Sequence, residues 1–392
     1  MKLYIIAGEA SGDLHGSNLI KALKVQQPHI QCRVWGGDLM RAAGGELVKH
    51  YRDLAFMGFV EVLKNLRTIF RNIAFCKKDV LDFQPDALVL IDYPGFNLRI
   101  AKWAKKQGLK VIYYISPQIW AWHTSRVHDI KRDVDKMLVI LPFEEDFYKK
   151  YGVEVEFVGH PLLDAVDGRG YTVHDVSQTL NSKLQTPNSK LQTSNSKLQT
   201  PNFKLQTPNL VALLPGSRRQ EVQRILPVML AVAADFPDYE FVVAGATSLP
   251  EDYYRPFLEK YPNVRLAQGQ TYDLLRRATA ALVKSGTSTL ETALFDVPQV
   301  VCYAGNPLSY FIARRLVNVQ YISLVNLIMD RPLVRELIQN ELNKNNLKTA
   351  LAEILLPEKS AAMRAGYAEL RQKLGDGGAS EKAAKVILKF LR

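Results

Sequence analysis

The sequence predicts an α/β protein of two domains, each a parallel sheet covered by helices on both faces, followed by a helical segment at the C-terminus. Three observations lead there. Short apolar runs alternate with longer amphipathic stretches, a low-complexity insert interrupts that alternation once, and 392 residues exceed what one hydrophobic core ordinarily organises.

In the first half LYIIAG (3–8), CRVWGG (32–37), ALVLID (87–92), KVIYYIS (110–116), MLVILP (137–142) and VEFVGHP (155–161) read as buried strands, each separated from the next by helical patterning. Strands joined through helices run parallel, which makes these βαβ units. The pattern stops at NSKLQTPNSKLQTSNSKLQTPNFKLQTPN, where Asn181, Asn188, Asn195, Asn202 and Asn209 mark a seven-residue period. Each unit offers a single Leu where a heptad seam needs two apolar positions, and Pro187, Pro201 and Pro208 would break a helix. The insert therefore reads as a solvated spacer, tolerable because added loop length costs little free energy.

After the insert the alternation restarts. NLVALLPGSR (209–218), YEFVVAG (239–245), NVRLAQG (263–269), AALVKSG and PQVVCYAG read as strands, while EVQRILPVMLAVAADF, TYDLLRRAT and TSTLETALF read as helices. From about Leu333 onward the pattern is mainly helical, ending in SEKAAKVILKFLR with Ser380 at an N-cap position. The expected boundaries are a first domain over 1–165, a linker over 166–208, a second domain over 209–355 and C-terminal helices over 356–392 that pack back on the first domain.

The net charge of +12 points to an anionic partner: nucleic acid, an acidic membrane surface or a phosphorylated substrate. Lys183, Lys190, Lys197 and Lys204 lie in the acid-free insert, so 12 minus 4 leaves +8 for the rest. Cys32, Cys76 and Cys302 are scattered without C-x-x-C spacing, which argues against a disulfide framework or a zinc site and favours a reducing cytosol. The N-terminal apolar run breaks at Gly8 and Glu9, too soon for a signal-peptide core, and no run reaches the length of a spanning helix.

Ligands of open α/β sheets bind beyond the carboxyl ends of the strands, which directs attention to four strand-to-helix turns. In AGEASGD, Gly8, Gly12 and Gly16 fall four apart, matching neither the dinucleotide fingerprint nor a Walker A loop. Glu9 and Asp13 flank a backbone that a ligand could approach, or Ser11 caps the helix running to about Gln26 and Asp13 answers its dipole. In VLIDYPGFN, Asp92 ends a strand before Pro94 and Gly95, as a general base, a sugar-hydroxyl acceptor or a turn residue. In LLPGSRRQEV, Arg218 sits in the first helical turn, where a cation opposes the macrodipole and so suggests an anion; alternatively it is a solvated Arg beside a Ser217–Gln220 capping box. In VKSGTSTLE, Ser288 and Glu291 have capping-box spacing, but the turn also follows a buried strand, where helix N–H groups suit a diphosphate and Glu291 suits two ribose hydroxyls.

With these loops assembled, the chain resembles the lipid-A-disaccharide synthase family, glycosyltransferases of the GT-B type whose two Rossmann-like domains face a cleft. The resemblance rests on AGEASGD, VWGGDLMRAAG, MGFVEVL, SPQIWAW, LPFEEDFY, FVGHPLLD, LLPGSRRQEV, SGTSTLE and YISLVNLIMDRPLVREL, in family order across nearly everything outside the repeat. It implies inverting transfer of the sugar of UDP-2,3-diacylglucosamine to 2,3-diacylglucosamine 1-phosphate (lipid X), giving a β-1,6 disaccharide and UDP without metal or cofactor. Arg218 with Ser285, Gly286 and Thr287 would then bind and stabilise the departing UDP, Glu291 its ribose, and Asn326 would be a further functional polar position. Glu9, Asp13 and Asp86 fall on family carboxylates. Where relatives often read D-A-P-D-F-N this chain has DYPGFN, so Gly95 replaces a carboxylate proposed as the base and Asp92, Glu9 or Asp13 must take the role, Asp92 being favoured.

The segment AFMGFVEVLKNLRTIFRNIAF (55–75) interleaves apolar residues with cations and carries a single acid, Glu61. That suits an interfacial helix whose Phe56, Met57, Phe59, Val60, Leu63 and Phe70 meet acyl chains while Lys64, Arg67 and Arg71 meet anionic headgroups, and it equally suits a core helix with a basic outer face. Acylated substrates favour the former, placing the protein peripherally on the cytoplasmic face of the inner membrane. The competing readings are a UDP-sugar 2-epimerase on the same scaffold and a non-enzymatic basic adaptor. No nucleic-acid partner is expected, and the resemblance admits a homodimer with exchanged C-terminal segments.

Overall fold

A computed structural model describes residues 1–53, 66–122, 124–166, 209–306 and 319–392. The repeat, the linker beyond Val166, and Phe56, Met57, Phe59, Val60, Leu63 and Lys64 lie outside the described residues. The chain forms two compact units: residues 1–166 with Arg371–Arg392, and residues 209–306 with Gln320–Leu370.

In the first unit the chain runs β1 (Lys2–Ala7), α1 (Ala10–Gln26), β2 (Gln31–Gly36), α2 (Asp38–Ala42), β3 (Glu46–His50), α3 (Leu66–Phe83), β4 (Ala87–Ile91), α4 (Pro94–Lys106), β5 (Lys110–Tyr114), α5 (Ile119–Trp122), α6 (Val127–Asp133), β6 (Lys136–Val139), α7 (Phe143–Lys149), β7 (Val155–Phe157) and α8 (Pro161–Val166). The strands form one parallel sheet in the order β3-β2-β1-β4-β5-β6-β7. The central strands are buried on both faces because helices cover both, which is why they read as unbroken apolar runs. The core gathers Tyr4, Trp35, Leu88, Leu90, Ile100, Tyr113 and Tyr148. Its polar atoms are paired: Trp35 Nε1 donates to Tyr4 Oη (2.7 Å), whose hydroxyl donates to Asp79 (2.6 Å), and Asp79 also takes Arg33 (2.7 Å).

The second unit runs β8 (Leu210–Leu214), α9 (Arg219–Ala233), β9 (Glu240–Gly245), α10 (Arg255–Leu258), β10 (Val264–Gln268), α11 (Thr271–Arg277), β11 (Ala280–Lys284), α12 (Thr287–Leu294), β12 (Gln299–Tyr303), α13 (Leu324–Met329), β13 (Arg335–Ile338) and α14 (Lys344–Leu355). Its parallel sheet has the order β10-β9-β8-β11-β12-β13. Helix α15 (Pro357–Leu374) follows, and α16 (Ala379–Leu391) packs against α1 in the first unit.

Several local expectations are corrected. The chain from Leu333 onward is mainly helical, as expected, but β13 forms at its start, and Glu46–His50 adds a strand that the apolar pattern did not reveal. Both are short edge strands with only partial burial, so neither carries an apolar run. Ser380 does not cap the last helix. Gly378, left-handed at φ 69°, occupies the N-cap, and its N–H donates to Asp164, a partner remote in sequence that local signals cannot show. Ser11 likewise lies inside α1, whose N-cap is Glu9 with no side-chain cap.

Candidate functional site

In each unit the strand order reverses once, between β1 and β4 and between β8 and β11. At such a switch point neighbouring connections leave in opposite directions and open a crevice at the carboxyl ends of the strands. The four turns singled out by sequence lie at these points.

In the first unit the β1–α1 and β4–α4 turns touch directly. A Cβ on Gly8 would lie 2.3 Å from the Tyr93 ring, so the missing side chain is what lets that ring pack over the turn. Asp92 and Tyr93 are both left-handed, at φ 43° and 49°. Consecutive non-glycine residues there are unfavourable, because Cβ crowds the backbone. The turn is held by Asn97, whose Nδ2 reaches Asp92 O (2.8 Å), Ile91 O (3.2 Å) and Ile6 O (3.4 Å), and by the Tyr113 hydroxyl, which donates to Asp92 O (2.5 Å). Burial, and then the negative charge of Glu9, push the Asp92 carboxyl up to about 6. Asp92 is thereby poised to exchange a proton near neutrality.

Asp13 is turned elsewhere. Its carboxylate accepts from Gly37 N (2.7 Å), Met40 N (3.0 Å) and Leu39 N (3.2 Å), so it caps α2 and ties that loop to α1 instead of answering the dipole of its own helix. Burial pushes its carboxyl up while the three N–H donors pull it down. Asp86 lies at the opposite, amino-terminal end of β4, where it accepts Lys2 N (2.7 Å). Sequence reasoning passed over a neighbouring cluster: Glu144, 1% exposed, accepts from Leu141 N (3.0 Å), Ile140 N (3.3 Å) and Trp120 Nε1 (3.3 Å), and burial pushes its carboxyl up to about 7. It thereby fastens the SPQIWAW loop to the β6–α7 turn.

In the second unit Gly216, at φ 104°, lets the β8–α9 turn close on Glu221; a Cβ there would meet Glu221 Oε2 at 2.4 Å. Glu221 Oε2 accepts from Ser217 N (3.2 Å) and Arg218 N (3.3 Å), and Oε1 pairs with Lys284 at the end of β11 (2.9 Å). Ser217 and Gln220 thus do not form the expected box. Arg218 is the N-cap residue, not a first-turn residue, and its side chain is exposed. Glu221 and Lys284 escaped sequence reasoning, although a lysine ending a buried strand was a legible signal.

The β11–α12 turn corrects the second capping box as well. Gly286, at φ 153°, is the N-cap of α12, and among the described residues no side chain caps that helix, so its first N–H groups lack a capping acceptor. The register puts Glu291 a full turn in, where it accepts the Tyr272 hydroxyl (3.1 Å) and is pushed up by burial. Thr287 is exposed, and Ser285 donates to Ile322 O (2.9 Å). Asn326 is buried and fully engaged: Nδ2 donates to Val334 O (2.8 Å) and Glu336 (2.9 Å), and Oδ1 accepts Val334 N (2.9 Å). Glu336 in turn accepts from Ile322 N and Ser323 N, and Ser323 Oγ accepts from Asn326 N, so Asn326 connects to the glycine turn indirectly, through Glu336, Ser323 and Ile322.

On α3, Arg67 and Arg71 are exposed beside Phe70, which is 61% exposed, and Phe75. Among the described residues no helix is long and apolar enough to cross a membrane.

Comparison with known proteins agrees with this arrangement. Residues 3–181 and 186–390 match the lipid-A-disaccharide synthetase family. The lipid-A-disaccharide synthases of Syntrophus aciditrophicus and Geobacter metallireducens are 41% and 40% identical, covering 99% and 100% of this chain and 97% of each relative. Among solved structures, S. aureus MnaA with UDP superposes with a TM-score of 0.64 at 13% identity, over 100% of this chain and 96% of that one. The UDP-GlcNAc 2-epimerase of Neisseria meningitidis gives 0.61 at 12%, over 100% and 99%. At such identity these two establish the shared GT-B fold alone, whereas the full-length relatives establish kinship: the chain belongs to the lipid-A-disaccharide synthetase family of glycosyltransferases.

Proposed function

We propose that this glycosyltransferase condenses UDP-2,3-diacylglucosamine with 2,3-diacylglucosamine 1-phosphate, inverting the anomeric centre and releasing UDP. The first unit receives the acyl-sugar acceptor and the second binds UDP. The observation that carries this reading is the β8/β11 switch point, where the uncapped amino terminus of α12 and the exposed Arg218 supply positive charge beside the Lys284–Glu221 pair.

Charge accumulates on the β-phosphate as the glycosidic oxygen departs. Donors fixed before reaction stabilise it without reorganising, and that is the role of Arg218 and the Ser285–Thr287 turn. Glu291, oriented by Tyr272, accepts the ribose hydroxyls. Asn326 acts through Glu336 to keep the turn in place. In the first unit Asp92 removes the proton of the attacking acceptor hydroxyl, Glu9 raises the proton affinity of Asp92, and Asp13 holds the adjoining loop. The exposed aromatic and basic face of α3 fits a protein that takes acylated substrates from an anionic membrane surface. A homodimer is compatible with this scheme.

Incubating purified enzyme with both acylated sugars and scoring UDP and disaccharide tests the reading. Arg218→Ala and Glu291→Ala should lose turnover while remaining folded; undiminished rates would remove them from the UDP site. Turnover of UDP-GlcNAc to its 2-epimer, with no disaccharide formed, would replace the scheme altogether.

A further inference from the structure

We propose that Asn97 and Tyr113 are positioning residues for Asp92, gripping the left-handed Asp92–Tyr93 turn by its backbone so that the carboxylate is presented at the carboxyl end of β4. The inference rests on the reading of Asp92 as the base.

The turn is strained where relief was available. Aspartate tolerates the left-handed conformation, but Tyr93 follows Asp92 into it at φ 49°, where glycine would sit without strain. Such strain persists only where the surroundings over-determine the conformation. Here they do: the carbonyl of Asp92 receives two donors, Asn97 Nδ2 from α4 at 2.8 Å and the Tyr113 hydroxyl from β5 at 2.5 Å. Together they fix the peptide plane between Asp92 and Tyr93, and with it the direction in which the Asp92 side chain leaves the strand.

Asn97 is completely buried, and among the described residues its Oδ1 has no hydrogen-bond partner. An unpaired buried acceptor is costly, so what Asn97 contributes lies on its donor side, which gathers the carbonyls of Ile6, Ile91 and Asp92. The next strand end shows the same feature, since Ile115 after β5 is left-handed at φ 66°, an outlier for a β-branched residue. Three of the seven left-handed non-glycine residues among the described residues thus stand at the carboxyl ends of β4 and β5.

The test compares Tyr113→Phe, Asn97→Ala, Asp92→Asn and the Tyr113→Phe, Asp92→Asn double variant, reading kcat, KM for both sugars and the thermal midpoint. Tyr113→Phe removes one oxygen and keeps the ring, so it remains informative even where Asn97→Ala folds poorly. Each clamp variant should lower kcat about 10–100-fold with KM essentially unchanged, the size expected for a misdirected reacting group. In the Asp92→Asn background Tyr113→Phe should cost nothing more, because its effect passes through the carboxylate. A lowered thermal midpoint with unchanged kcat, or a loss that multiplies in that background, would overturn the positioning role while leaving Asp92 as the base. Full turnover by Asp92→Asn would overturn the base assignment and this proposal with it.

Discussion

The ammonium of Lys284 stands 2.9 Å from Glu221 Oε1, joining the turns after β8 and β11 through two side chains that are each less than a quarter exposed. The same carboxylate also serves the N–H groups of Ser217 and Arg218. It therefore occupies a place where a phosphate could be held.

Glu221→Ala should lower stability by about 0.5–2 kcal/mol in urea denaturation, because it removes the carboxylate that serves the amino terminus of α9 and pairs with Lys284. UDP should then raise the melting temperature of the variant more than that of the parent protein, since its diphosphate supplies the missing anion. Equal rises would place the diphosphate elsewhere.

A second expectation concerns pH. Burial pushes the Asp92 carboxyl up to about 6 in the folded protein, against about 4 in an unfolded chain. Between those values the native state holds a proton that the unfolded state has lost, so this contribution is complete below pH 4, falls as pH rises through 6 and is absent above. Asp92→Asn should accordingly be more stable than the parent by about 1–3 kcal/mol at pH 8 and gain nothing at pH 4. Urea titrations at the two pH values check this; a pH-independent difference would mean that Asp92 titrates normally. The parent kcat/KM should decline below pH 6 as the base becomes protonated.

Gly8→Ala should cost about 1–3 kcal/mol through overpacking, because its methyl would meet the Tyr93 ring at 2.3 Å. In a Tyr93→Ala background the same change should be nearly neutral. Thermal denaturation of the four proteins in that cycle decides it, and an equal cost in both backgrounds would show that the ring is not the obstacle.

Gly95→Asp should be accepted. Among the described residues nothing lies within 4 Å of a Cβ there, and the position falls in the first turn of α4. A carboxylate near a helix amino terminus gains about 0.3–1 kcal/mol, so the melting temperature should hold or rise. A clear fall would reveal crowding that the backbone does not show.

How much of this was legible depended on whether the signal was local. Residues such as Leu88–Ile91 and Leu210–Leu214 face helices on both sides, and their unbroken apolar character announced buried parallel strands. Glu46–His50 and Arg335–Ile338 sit at sheet edges, where most of their residues are only partly buried, and they carried no such mark. Capping signals failed for a related reason: Ser288 and Glu291 have the spacing of a box, but the helix begins at Thr287 because Gly286 reaches a conformation closed to other residues, and Glu291 then faces Tyr272.

The order of amino acids by itself determined the alternation of strand and helix, the two parallel sheets and the family, since each is written in apolar periodicity or contiguous motifs. Only the tertiary structure decided which strands stand at the switch points, that Asp13 serves a neighbouring loop, that Lys284 meets Glu221, and that Asn97 and Tyr113 converge on Asp92. Those pairings join residues from separate elements, and their distances are set by how helices pack on a twisted sheet, which no local window of sequence contains.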